Sequence, residues 1–166
     1  RLLFPAYHAA HSRPCAARRA ETGRSPLTRR LEGVDLSPRM IERARATGLY
    51  AELEVADMLQ GLRARPDASA DLILAADAMV YVADLAPLLA EAGRVLSPGG
   101  LLAFTTETHG GEGVILGEGL RYAHAAAYVR ASVEAAGLQL PLLEDSSARN
   151  EDNVPVPGLV VVAAKT

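Results

Sequence analysis

The chain has 166 residues, of which 49% are hydrophobic and 4% aromatic, and it contains no tryptophan. This composition predicts one globular domain with a buried core, and it argues against an aromatic surface for single-stranded nucleic acid. The single cysteine, Cys15, excludes an internal disulfide, and neither it nor the four histidines show the spacing of a metal site. No apolar run approaches the ~20 residues of a membrane helix, so we expect a soluble, cytoplasmic protein without a membrane partner.

The net charge of −3 is distributed unevenly along the chain. Residues 1–30 contain seven arginines and one acid, for a net charge of +6, whereas residues 31–166 contain ten basic and nineteen acidic residues, for −9. An arginine-rich, acid-poor start resembles an organellar transit peptide, and it equally suits a truncated or altered part of the domain. Because the sequence begins with Arg1, we expect a fragment or a processed product. Nucleic-acid binding by these arginines is a third, weaker interpretation.

The clearest pattern covers residues 31–57, where two short strands flank a helix. The first strand ends at Asp35 and the second at Asp57, so each strand is followed by a carboxylate. Ser37 is placed to cap the helix N-terminus, and Gly48 to end the helix in a left-handed conformation. Two acids at the carboxyl ends of successive strands are typical of an open α/β sheet that binds a nucleoside-like ligand.

Strands and helices continue to alternate through the rest of the chain. A nearly continuous apolar run over residues 70–76 predicts a strand buried on both faces, again followed by a carboxylate, Asp77. The alternation predicts an α/β fold, namely a Rossmann-like doubly wound sheet with a C-terminal antiparallel hairpin. The other predicted elements are a short helix over 58–62, a helix over 85–96 capped by Asp84, a strand over 101–106, a glycine-rich loop over 108–120, a helix over about 125–136, and strands over 138–143 and 159–164.

Three segments occur in a characteristic order: GVDLSPRM at 33–40, ADM at 56–58 and GRVLSPGG at 93–100. Together they resemble the class I S-adenosylmethionine-dependent methyltransferases. More narrowly, the first of them and the sequence RYAH at 121–124 resemble the methyltransferases associated with tetratricopeptide repeats. The resemblance covers 31–166, which we interpret as the methyltransferase domain, and it leaves residues 1–30 as an atypical basic segment.

The resemblance implies S-adenosylmethionine as the cofactor and gives roles to five residues. Asp35 would accept hydrogen bonds from both ribose hydroxyls, with Leu36 beside it in the cofactor site. Asp57 would bind the adenine amino group, and Met58 would pack on the ring. Asp77 would lie near the methionine moiety and the transferring methyl group. The structural alternative for Asp35 and Asp57 is a role in capping the helices that follow them.

The residues that act on the methyl acceptor are less clearly marked. His124 and Tyr122 are the predicted catalytic residues, because histidine titrates in the useful range and both follow the glycine-rich loop. Tyr81, Glu107 and His109 are further candidates. The alternative is that His124 and Tyr122 only pack the loop. The acidic body of the chain favours a small-molecule acceptor over nucleic acid.

The sequence departs from the family where a glycine-rich turn is expected. That turn lies about 20 residues before the ribose-binding acid, and counting back from Asp35 reaches residues 13–19. Pro14, Ala16 and Arg18 stand there in place of the glycines that let the backbone approach the cofactor. We therefore expect methyl transfer to be impaired in this chain.

The first strand of the sheet is also expected to be missing or altered. The segment HAAHSRP at 8–14 is a poor central strand, because proline lacks the ladder donor. Residues 2–4 could replace it, although out of register.

Two other functions remain open on the sequence. One is a non-catalytic binding protein that keeps the fold and has lost the cofactor site. The other is a nicotinamide-dependent oxidoreductase, since Asp35 could equally bind the ribose of NAD, although no GxGxxG motif supports it.

Overall fold

The computed structural model describes residues 2–5, 30–117, 119–147, 150–151 and 154–166. Four α-helices lie within these ranges: α1 (Pro38–Ala46), α2 (Met58–Arg63), α3 (Ala86–Val95) and α4 (Ala126–Ala135), with a 3₁₀ turn over Met79–Tyr81. The strands are β1 (Leu2–Pro5), β2 (Leu31–Asp35), β3 (Glu52–Val55), β4 (Ala70–Ala75), β5 (Leu96–Glu107), β6 (Val114–Leu116), β7 (Tyr122–His124), β8 (Gln139–Ser146), β9 (Asn150–Glu151), β10 (Val154–Pro155) and β11 (Gly158–Ala164).

The main sheet has the strand order β3-β2-β1-β4-β5-β11-β8. The first five strands in this order are parallel, whereas β11 is antiparallel to both β5 and β8. The predicted Rossmann-like α/β fold with a C-terminal antiparallel hairpin is therefore confirmed. Among the described residues, no helix is long and apolar enough to span a membrane.

The centre of the sheet is β1, which pairs with β2 on one side and β4 on the other. Leu2 is opposite Leu31 in β2 and Leu72 in β4, so the strand is in register with both neighbours. The replacement strand that the sequence allowed at residues 2–4 is therefore present as β1, whereas the expectation that it lies out of register is wrong. The segment at 8–14 lies outside the described residues, and the division of the chain at residue 30 stays a prediction.

Local sequence explains most helix ends. The Ser37 side chain accepts a hydrogen bond from the Met40 amide at 3.4 Å, and Pro38 occupies the first turn of α1. Gly48 follows that helix with φ +67°, a conformation that favours glycine. The predicted loop over 108–120 is partly wrong, because it contains β6, which forms a hairpin with β7.

Helices cover both faces of the sheet, as a doubly wound fold requires. The larger core cluster joins β4, β5 and β11 to α3 and α4, and includes Leu89, Leu102, Val129 and Val161. A smaller cluster under α1 contains Ile41 and Ala44. This arrangement leaves the carboxyl ends of β2, β3 and β4 at one common edge.

Candidate cofactor and active site

A cavity of about 590 Å³ lies at the carboxyl ends of β2, β3 and β4. It is lined by all five residues that the sequence predicts to bind cofactor, which are Asp35, Leu36, Asp57, Met58 and Asp77. The segment after β4 also lines it, through Tyr81, Val82, Ala83, Asp84 and Pro87. Within the described part of the chain, every charged side chain of this lining is acidic, which favours a ligand that carries positive charge.

Asp35 ends β2 and is oriented by the turn into α1. Its Oδ1 accepts a hydrogen bond from the Ser37 amide at 2.8 Å. This bond uses one carboxylate oxygen, so Oδ2 keeps its capacity to accept from a ligand hydroxyl. Leu36 follows with 72% of its surface exposed, which places an apolar side chain at the cavity rim.

Asp57 has the capping role considered for it from the sequence, and it also lies in the cavity lining, as a cofactor-binding role would require. It caps α2, because its Oδ1 accepts a hydrogen bond from the Gln60 amide at 2.8 Å, and it also lines the cavity. The second oxygen of the carboxylate can still accept from a ligand amino group. Met58, the first residue of α2, is half-buried beside it.

Asp77 occupies a left-handed turn just after β4. Its φ is +51°, a region that aspartate tolerates better than most residues, and its amide donates to Thr105 Oγ1 at 2.8 Å. Its carboxylate accepts a hydrogen bond from the Arg121 guanidinium. A strained residue held from two sides at a cavity edge is characteristic of a functional position.

Arg121 joins three groups at this end of the cavity. Besides Asp77, its Nε donates to Glu107 Oε1 at 2.6 Å, and Nη1 donates to the Tyr81 hydroxyl at 2.9 Å. The guanidinium also lies 5.2 Å from the centre of the Tyr81 ring. Burial opposes the charge on Arg121, but the hydrogen bonds to Glu107 and Asp77 outweigh it and raise the pKa of the guanidinium above its ordinary value.

A protein-family model described as "Methyltransferase domain" matches residues 16–104, which is more than half of the chain. The chain belongs to this methyltransferase family. The predictions of a methyltransferase and of S-adenosylmethionine as its cofactor are therefore confirmed, and the oxidoreductase alternative is set aside. The match begins inside the basic segment. Among curated proteins, no significant match was found.

Solved methyltransferase structures share the fold at low sequence identity. A methyltransferase from Methanosarcina mazei is 16% identical, with a TM-score of 0.63 over 81% of each chain. One from Mesorhizobium loti is 22% identical, with a TM-score of 0.61 over 82% of this chain and 80% of that one. The 1,6-didemethyltoxoflavin-N1-methyltransferase from Burkholderia thailandensis is 17% identical, with a TM-score of 0.70 over 99% of this chain and 70% of that one. At these identities the likeness supports the fold alone.

The methyltransferase does not place His124 where a general base could act. The side chain is fully buried, with Nδ1 2.7 Å from Thr106 Oγ1 and Nε2 2.9 Å from the Val82 carbonyl oxygen. Because a carbonyl only accepts, Nε2 carries the proton, and Nδ1 of the neutral ring accepts from Thr106. Burial lowers the pKa of His124, which favours this neutral form. This geometry favours the packing alternative for His124 over its predicted catalytic role.

Tyr122 and His109 also lie away from the cavity lining. Tyr122 is half-buried in β7 opposite Leu116 of β6, so it supports the hairpin. His109 closes its own loop, since Nδ1 accepts from the Gly111 amide at 3.2 Å and Nε2 lies 3.3 Å from the Gly113 carbonyl oxygen. Of the acceptor-site candidates, only Tyr81 lines the cavity.

Two site residues received no such role from the sequence. Arg121 contacts Asp77 across 44 positions of the chain, and only its place in the RYAH segment marked it. Asp84 was predicted as a helix cap, and its Oδ1 does accept from the Ala86 amide at 3.0 Å. It also lines the cavity, a location that its place at the start of a predicted helix did not indicate.

Proposed function

We propose that this methyltransferase binds S-adenosylmethionine in the 590 Å³ cavity and methylates a small-molecule acceptor there. The observation that carries the proposal is the convergence of five separately predicted residues on one cavity. Its volume falls within the roughly 300–1,000 Å³ common for small-ligand sites, and its position at the carboxyl edge of parallel strands is the usual one.

The chemistry of the lining suits this cofactor. S-adenosylmethionine carries a sulfonium and an ammonium group besides one carboxylate, so it is cationic overall, and the charged lining residues that the structure describes are all carboxylates. Asp35 and Asp57 each have one oxygen committed to the local turn, which holds the carboxylate in place, and a second oxygen available to the ligand. Leu36 and Met58 supply apolar surface for the flat faces of a nucleoside.

The strand order suggests how the cofactor lies. Asp35 ends β2, and Asp57 follows the neighbouring strand β3. Asp77 follows β4, which is on the far side of β1. With the adenine over Asp57 and the ribose over Asp35, the rest of an elongated ligand extends along the sheet edge toward Asp77. Tyr81 and Asp84 then lie at the end where the acceptor would enter.

Positioning is the main contribution that we assign to the protein. S-adenosylmethionine, when bound, supplies a methyl group already activated by the sulfonium, so correct alignment of the acceptor lowers much of the barrier. With His124 buried, the acceptor proton passes to water or to a carboxylate of the lining. The relation to methyltransferases associated with tetratricopeptide repeats remains part of this proposal and rests on the sequence pattern.

The first test is calorimetric titration of the chain with S-adenosylmethionine and S-adenosylhomocysteine. We expect micromolar dissociation constants, and Asp35→Asn should weaken both ligands by about tenfold, since a hydrogen bond to a charged group is worth ~1.5–3 kcal/mol. Asp145→Asn, an exposed aspartate on β8, is the matched control and should leave affinity unchanged. No binding of either nucleoside by the folded chain would contradict the proposal and favour a non-catalytic binding protein.

The acceptor class needs a separate experiment. The chain is incubated with S-adenosylmethionine labelled in its methyl group and with a cell extract divided into small-molecule, protein and nucleic-acid fractions. We expect label in the small-molecule fraction only. Label in protein or nucleic acid would contradict the proposed acceptor class while leaving methyl transfer intact.

A further inference from the structure

We infer that Arg121 is a positioning residue that sets how strongly this site prefers the sulfonium cofactor over its neutral thioether product. The inference rests on the proposed function. It concerns the end of the cavity at Asp77, where Arg121 reaches in from the segment before β7 and joins groups that follow β4 and end β5.

The geometry makes Arg121 the centre of a charged cluster. One guanidinium donates to Asp77, to Glu107 and to the Tyr81 hydroxyl, so its two terminal nitrogens and Nε are all engaged. The side chains of Arg121, Asp77 and Glu107 are only 12%, 24% and 16% exposed. Partial burial strengthens their interactions relative to those of surface ion pairs.

The cluster has a defined charge. Among the described residues, the carboxylates of Asp77 and Glu107 face the guanidinium of Arg121, and these three groups together carry −1. Of the three, Asp77 alone lines the cavity. Arg121 therefore offsets the field that Asp77 exerts on a ligand. It also fixes the direction of the carboxylate, because Nη2 of the guanidinium donates a hydrogen bond to Asp77 Oδ1.

The position of Asp77 places this field at the reacting sulfur. β2 and β4 are both neighbours of β1, so Asp77 and Asp35 are separated by two strand spacings, about 10 Å. An extended ligand whose ribose lies at Asp35 brings the group beyond C5′, which is the sulfonium, toward Asp77.

The charge at this point matters because methyl transfer removes it. The acceptor lone pair forms the new bond to the methyl carbon, the electron pair of the carbon–sulfur bond returns to sulfur, and the acceptor releases its proton. Positive charge thus leaves the sulfur. An uncompensated Asp77 would stabilise the sulfonium reactant more than the transition state, which slows the reaction. Arg121 limits this effect.

The test measures the ratio of the dissociation constants for S-adenosylhomocysteine and S-adenosylmethionine by calorimetry at low ionic strength. Arg121→Met changes the cluster charge from −1 to −2, and we expect the preference for S-adenosylmethionine to rise by about threefold to tenfold. Asp77→Asn changes the cluster charge to 0 and should lower the preference by a similar factor. The double variant restores −1 and should return close to the parent ratio.

Two controls separate charge from structure. Arg121→Lys keeps the charge but not the hydrogen bonds to three groups, and its ratio should stay within about twofold of the parent ratio. Arg130→Met removes an exposed arginine on α4 and should leave the ratio unchanged. If Arg121→Met does not fold, the shift in Asp77→Asn still tests the inference. An unchanged ratio in Asp77→Asn, or shifts of the same sign in both single variants, would overturn it. Absence of binding by the parent chain would instead overturn the proposed function.

Discussion

Gly61 of α2 packs against Val34 of β2 without room for a side chain between them. A Cβ at Gly61 would lie 2.8 Å from both Cγ1 and Cγ2 of Val34. This close approach presses α2 onto the strand that ends at Asp35, and Val34 itself lines the cofactor cavity. The distance between the two elements that carry Asp35 and Asp57 is therefore set by a glycine.

Gly61→Ala should destabilise the domain by about 1–3 kcal/mol, because an added methyl group in a packed contact forces neighbouring atoms to move. The loss is measured as the change in the free energy of unfolding in urea. Gln60→Ala, at an exposed position of the same helix, is the control and should change stability little. Val34→Ala combined with Gly61→Ala should recover part of the loss, and a neutral Gly61→Ala would contradict the packing argument.

A second prediction concerns the buried pair Glu32 and Arg65. Glu32 is fully buried in β2, and Arg65 Nε donates to its Oε2 at 3.0 Å. Arg65→Met should cost about 3 kcal/mol of stability, since it removes a charged hydrogen-bond partner from a buried carboxylate. Urea unfolding measures the loss, with Arg63→Met, an exposed arginine at the C-terminal end of α2, as the matched control. A loss below 1 kcal/mol would show that Arg30, which also contacts Glu32, is sufficient.

The buried His124 predicts a pH dependence of stability. Its pKa in the folded state is lowered by burial, so the unfolded chain binds more protons below the ordinary value of 6.5. The contribution of neutral His124 to the free energy of unfolding should therefore be fully present above pH 6.5. It should decline as the pH falls from 6.5 toward the lowered pKa of the folded state. Urea unfolding at several pH values should show this slope, and His124→Gln should reduce it.

His124→Gln should also leave the affinity for S-adenosylhomocysteine within about threefold of the parent, because the ring lies outside the cavity lining. A larger loss of affinity at unchanged stability would contradict the packing role and return His124 to the active site.

The residues at the expected glycine-rich turn give a fourth prediction. Pro14→Gly, Ala16→Gly and Arg18→Gly together should strengthen binding of S-adenosylhomocysteine by about tenfold or more, because glycine lets the backbone approach the ligand where the present side chains would fill that space. Calorimetric titration of parent and variant measures the difference. Equal, micromolar binding by both would mean that the present residues already form a competent turn.

The sequence by itself determined the local features of this protein. Ser37 and Gly48 mark the ends of α1, and each carries the side chain or the conformational freedom that its position needs. Asp35, Asp57 and Asp77 end or follow three strands, and the parallel alternation of the chain places such positions at one sheet edge. These inferences succeeded because their physical causes act within a few residues.

Only the tertiary structure decided which residues meet across the chain. The sequence offered residues 2–4 as a possible strand, but only the pairing of β1 with β2 and β4 shows that it lies in register with both. Arg121 reaches Asp77 across 44 positions, and packing buries His124 between Thr106 and Val82, which favours a packing role over a catalytic one. Burial and long-range pairing depend on the whole fold, and no local pattern of residues encodes them.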